Sequence, residues 1–302
     1  MRSLAAFLIV LLFSASAHAQ SGWRMTTPSG RLPASGLAAD ANWNRCTDAS
    51  LNLTLEESLA ACDRLLESRP GHRTTGGVHW YRAMRYYDHG LTAEGDAALD
   101  AAATAFGLAI RADPRDAYGY SNRAAVFLRR RQFDAALADY DTALSMNSRA
   151  TWAHLGRGGA LFRMGDYAGA SEAYDHAGRL AAISGESSPS LHAARCAVRA
   201  AMRADLDRGW TFCNRGVRTT DDPSYPLTAR GYFQFMRGNL DAALADFTRA
   251  YELNAFNASA LYGRGVVAVR QGRVAEGEAD MTRAREIDLF ELEFYANAGL
   301  AP

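Results

Sequence analysis

The feature that most limits how this chain can fold is a period. Phe133–Leu144 and Leu240–Tyr251 share seven of twelve residues at an offset of 107, which is three steps of 34 plus five. The five extra residues are placed in Gly185–Pro189, a small, polar, proline-containing insert. Windows of 34 then begin at Ala117, Thr151, Ser190, Ser224 and Ala258. Their eighth residues are Ala124, Gly158, Ala197, Gly231 and Gly265, and their twentieth are Ala136, Ala170, Gly209, Ala243 and Gly277. The twenty-seventh are Ala143, Ala177, Gly216, Ala250 and Ala284. The twenty-fourth are bulky at Tyr140, Tyr174, Phe247 and Met281, with Cys213 the exception. Gly165, Gly238 and Gly272 precede the second half of their windows. Phe133, Ala136, Leu137, Tyr140 and Leu144 fall on one helical stripe. Two antiparallel helices in close contact need small residues where their axes cross and bulky ones beside the crossing. One such hairpin cannot bury both faces, so successive hairpins must stack. The pattern predicts an all-α solenoid.

The first nineteen residues read differently. Met1 to Ser3 is a short basic start, Leu4 to Phe13 is apolar, and the stretch ends at Ala17, His18 and Ala19. That is the plan of a secretory signal peptide cleaved after Ala19, with an apolar core too short to span a bilayer comfortably. Residues 20–41, rich in Ser, Gly, Pro and Thr, are expected to form a flexible arm. Four cysteines follow the leader: Cys46, Cys62, Cys196 and Cys213. An even number in an exported chain favours two disulfides. Three pairings are open, of which the near ones, 16 and 17 residues apart, are simplest.

The windows resemble the tetratricopeptide repeat family over roughly residues 76–291. The resemblance implies a superhelix of about six repeats at 76–116, 117–150, 151–184, 190–223, 224–257 and 258–291, with a C-terminal tail over 292–302. The proline that usually closes a repeat survives only at Pro114, and the early aromatic only at Tyr86 and Tyr120. The first repeat carries about seven surplus residues, assigned to a loop near His89–Gly95, after a helix over Val78–Asp88. Upstream, Leu55–Ser68 reads as a helix capped by Thr54 with Glu57 and ended by Pro70 and Gly71. Residues 42–75 thus form a capping segment. Trp43, Cys46, Ala61 and Cys62 are similar to the lead-in of exported bacterial members, which implies a periplasmic protein with a disulfide pinning the cap. In this fold the seventh and twenty-fourth window positions, Cys196 and Cys213, face each other across a helix pair.

Chemistry has little support. The six histidines past the leader show no metal spacing, and no nucleophile elbow or phosphate loop occurs. The chain contains no lysine, and its 33 arginines balance 33 acidic residues, which argues against a dedicated nucleic-acid binder. Asp139 and Asp141 are read as a solvated helix face. No cofactor, metal or catalytic residue is expected. The repeats leave no separate stretch for a catalytic domain.

The resemblance implies that ligands lie on the hollow side, lined by the first helix of each pair. There the expected partner-binding residues are Tyr118, Arg129, Trp152, Phe162, Arg163, Tyr225, Tyr232, Phe235, Tyr262 and Arg270. Aromatics with spaced arginines are what protein-binding hot spots use. The positions at which one subfamily clamps a terminal carboxylate carry Ser121, Ala125, Leu155 and Gly159 here, so that clamp is not expected. The functional expectation is a non-enzymatic periplasmic scaffold binding peptide or protein in the groove. The alternatives are an envelope assembly component that uses its outer helix faces and, last, an enzyme within a helical shell.

Overall fold

The computed structural model describes residues 41–47, 53–185, 188–288, 292, 296 and 298–302. The expected leader and nearly all of the expected arm lie outside them. Among the described residues there are fourteen helices and no strands. The two short leading helices are α1 (Ala41–Thr47) and α2 (Leu55–Glu67). Six antiparallel pairs follow: α3 (His72–Asp88) with α4 (Thr92–Ala112), α5 (Ala117–Arg129) with α6 (Phe133–Met146), and α7 (Thr151–Arg163) with α8 (Tyr167–Ser184). Then come α9 (Pro189–Met202) with α10 (Leu206–Arg218), α11 (Ser224–Met236) with α12 (Leu240–Leu253), and α13 (Ala258–Arg270) with α14 (Val274–Ile287). Four of the five windows begin on the first residue of a helix. In the other, Pro189 opens α9 at a position that tolerates its missing N–H, with Ser188 accepting from the Leu191 N–H.

Small residues mark the crossings as the pattern requires. A Cβ placed on Gly158 would lie 2.5 Å from the Tyr174 ring, and one on Gly231 2.9 Å from Phe247. The same bulky residue also reaches the next pair: Gly156 abuts Tyr140 and Gly263 abuts Phe247. Each position-24 ring therefore joins its own hairpin to its successor, and Tyr140, Tyr174 and Phe247 are fully buried. Four hairpin turns rely on glycine in the left-handed region, at Gly90, Gly165, Gly238 and Gly272.

Two details depart from expectation. The surplus residues of the first pair do not form a loop near His89–Gly95. They lengthen the helices instead, to 17 and 21 residues, and leave only His89–Leu91 between them. Asp139 is buried, held at both oxygens by Arg123 at 2.7 and 2.8 Å. Arg230 and Asp246, and Arg264 and Asp280, repeat that fork at the same window positions, seven and twenty-three. Asp141 is the exposed member, paired with Arg157.

Both near cysteine pairs are disulfides, Cys46–Cys62 and Cys196–Cys213. The first closes α1 onto α2, whose Thr54–Glu57 capping box forms as expected. Trp43, Cys46, Cys62 and Val78 make one small core there, fastening the cap to α3. The second takes the place in its hairpin that the arginine–aspartate fork takes in three others.

His192 on α9 is buried, and its Nδ1 finds no hydrogen-bond partner among the described residues. Burial, with Arg215 and Arg195 adding to it, lowers its pKa from 6.5 to about 4. The unfolded chain takes up that proton near pH 6.5, the folded one only near 4. Its contribution to stability is therefore full above pH 6.5 and is lost as the pH falls towards 4. Urea midpoints are expected to drop across that window, and the drop is expected to shrink in His192→Gln. An equal drop in both proteins would refute the assignment.

Candidate partner-binding groove

Four of the first helices, α5, α7, α11 and α13, carry the expected groove residues. Tyr118 and Trp152 hold the second position of α5 and α7, both half-buried, with ring centroids 4.5 Å apart and planes tilted by 30°. Burial raises the Tyr118 pKa above its usual value, so its hydroxyl stays protonated. Tyr225 holds the same position on α11 and is also half-buried.

Other expected residues are covered. Phe162 is buried, edge-on to Tyr167 at 5.1 Å. Tyr232 and Tyr262 belong to the main hydrophobic core. These three were expected to face a partner, but they pack within the chain, Phe162 against Tyr167 and Tyr232 and Tyr262 in the core that also holds Leu292, Ala298 and Leu300. Arg163 is half-buried at the end of α7, close enough to Tyr140 and Tyr174 for its charge to act on both.

The remaining groove residues are engaged by the chain's own C-terminal stretch. Arg129 donates to Asp288 at 2.7 Å, a bond between residues 159 apart in sequence with both side chains largely buried. The same guanidinium sits 4.5 Å from the centroid of the Tyr87 ring on α3. The residue after α14 thus reaches back to α5 and α3. The Tyr232 hydroxyl donates to the Ala298 carbonyl at 2.6 Å. Arg270 donates to the Ala301 carbonyl through Nε and Nη2, at 3.3 and 3.1 Å. Its guanidinium also lies 5.8 Å from the Phe235 ring centroid. Leu292, Ala298 and Leu300 are buried in the same core as Tyr232 and Tyr262. The expectation of a plain tail over 292–302 missed this. Its one sequence signal was Leu300, a lone large apolar residue in a small-residue run.

The described residues contain no group of three histidine, cysteine or acidic side chains able to hold a metal ion. None of their helices is long and apolar enough to cross a membrane.

Stacked antiparallel hairpins without strands among the described residues define an all-α helical-repeat protein. Residues 122–182 and 234–288 match the family model described as tetratricopeptide repeat. Those two stretches carry tetratricopeptide repeats, and the helix pairs around them share the same fold. Among curated proteins none matches it by sequence. Among solved structures it is similar to a tetratricopeptide repeat protein from Parabacteroides merdae, at 16% identity over 80% of this chain and 93% of that one, with a TM-score of 0.56. It is also similar to the apo form of RapI, at 13% identity over 78% and 92%, TM-score 0.56. A human IFIT1 dimer with PPP-AAAA matches at 13% identity over 78% and 66%, TM-score 0.52. These likenesses concern the fold.

Proposed function

We propose that this protein is a non-enzymatic scaffold that holds an extended peptide or protein segment in its groove, in an oxidising compartment such as the bacterial periplasm. The observation that carries the reading is the aromatic row at one helical position, with Tyr118 stacked on Trp152 and Tyr225 two pairs further on. Half-buried rings in register along a concave wall present large, rigid contact area, the kind hot spots use. Two disulfides and the leader-like residues 1–19 support export. The zero net charge favours protein over nucleic acid as partner.

Cross-linking in an envelope extract followed by mass spectrometry tests this. Trp152→Ala combined with Phe235→Ala is expected to weaken capture of the same partner by about 2 kcal/mol or more, the hot-spot range. Arg179→Ala, on an exposed site of α8, is expected to leave capture intact. The reverse outcome would favour an assembly component working through its outer faces.

A further inference from the structure

We infer that residues 298–301 are a resident ligand of the groove, and that the partner is a segment of the same chemistry and the same glycine turn, small–glycine–leucine–small, which displaces them. The inference rests on the groove reading above and specifies what the groove selects. Leu300 is fully buried, while Ala301 and Pro302 beyond it are exposed. Leu300 is thus the large side chain that anchors the insert, with the buried methyl of Ala298 beside it. The polar contacts are of the kind a groove makes to any peptide backbone. Tyr232 and Arg270 donate to main-chain carbonyls, those of Ala298 and Ala301. Burial holds the Tyr232 hydroxyl protonated, so it remains a donor. Specificity comes from the intervening residues. Gly299 adopts φ +102°, a conformation that disfavours any side chain, and a Cβ there would meet Met236 at 3.4 Å. The segment's own hydrogen bonds are local, from the Gly299 N–H to Ala296 and from the Ala301 N–H to Gly299. Among the described residues 298–302 none is helical, and a segment held by few local bonds is the kind of element that opens before the rest.

A tethered segment acts at an effective concentration in the millimolar range and masks its own site. The test is fluorescence anisotropy with a labelled peptide carrying residues 296–302, titrated against the full chain and against full-chain L300D and G299V. Each variant is expected to bind the peptide at least about tenfold more tightly than the unaltered chain, because its own segment no longer competes. A peptide with aspartate in place of the leucine is expected to bind neither variant. Circular dichroism checks folding; if L300D loses helix, G299V, altered at an exposed turn, carries the comparison. Equal peptide affinity for the unaltered chain and G299V, or no binding to G299V, would overturn the inference. Cross-linked partner lost on Trp152→Ala with Phe235→Ala but unchanged in G299V would also overturn it, while leaving the groove reading in place.

Discussion

Removing the second disulfide, as Cys196→Ala with Cys213→Ala, is expected to cost about 3 kcal/mol, the chain-entropy value for a loop of this size. The hairpin that it closes is the least able to manage without it. Four other hairpins turn on glycine and α5–α6 on one non-glycine residue, Arg131 at φ 61°, whereas the α9–α10 connection places two, Arg203 at φ 51° and Asp205 at φ 49°. Non-glycine residues in the left-handed region cost about 1–2 kcal/mol each. This pair also lacks the arginine–aspartate fork of three other pairs, and the bulky ring at position 24 that both its neighbours have. Asp175 on α8 is bonded by Arg195 and Arg199 of α9, while across the pair itself Arg195 lies 3.7 Å from the Phe212 ring centroid, His192 stacks on the same ring at 6.3 Å and Arg199 reaches Asp205 at 3.8 Å. The short charged bonds thus hold α9 to α8, and α10 is held to α9 by the looser contacts. In a stacked array each pair leans only on its neighbours, so the loss should be local. Hydrogen exchange is expected to show α10 opening first, and urea unfolding to show a lower midpoint or an added early transition. A midpoint unchanged within about 0.5 kcal/mol, the range of ordinary surface substitutions, would refute the argument.

The parts of this fold that a 34-residue spacing can express were legible. Helix starts at Ala117, Thr151, Ser224 and Ala258 follow from the small residues, because a crossing point fixes both helices of a hairpin. What spacing does not express is how far a helix runs beyond its crossing. α3 and α4 are lengthened at their N-terminal ends, to His72 and Thr92, and the alanines of residues 97–103 favour helix in α4. The arginine–aspartate forks were present in the pattern at positions seven and twenty-three. A carboxylate on a helix face reads as solvated until its partner is seen on the facing helix. The groove was legible as a set of positions, but not as a surface. Whether Phe162, Tyr232 and Tyr262 face outward depends on what packs over them, which no local pattern encodes. The covering by Asp288 and residues 298–301 lies beyond the last repeat, where the period ends.

The last hairpin supplies the severest test of the small-residue argument, with opposite signs expected at two glycines. At the crossing of α13 and α14 both partners are glycine, Gly265 and Gly277, whereas each of the other four windows has at least one alanine there. A Cβ on Gly277 would lie 2.5 Å from the Gly265 carbonyl oxygen and 3.0 Å from the Val269 nitrogen. These are backbone atoms of a neighbouring helix and cannot swing aside as a side-chain tip can. Gly277→Val therefore has to push α14 off α13, and is expected to cost about 3 kcal/mol or more, the upper end of overpacking. Gly107 on α4 is the control. A Cβ there meets only arginine tips, at 3.9 and 4.0 Å. Gly107→Ala is expected to stabilise by about 0.5–1 kcal/mol, since glycine inside a helix is unfavourable and nothing opposes the methyl. The cost at Gly277 should reach the groove as well. α14 carries Asp288 to Arg129, so displacing it breaks the bond that brings the C-terminal stretch back to α5. Chemical denaturation of both variants measures the two signs. A Gly277→Val chain as stable as the unaltered one would mean that the two helices do not touch where the spacing places them.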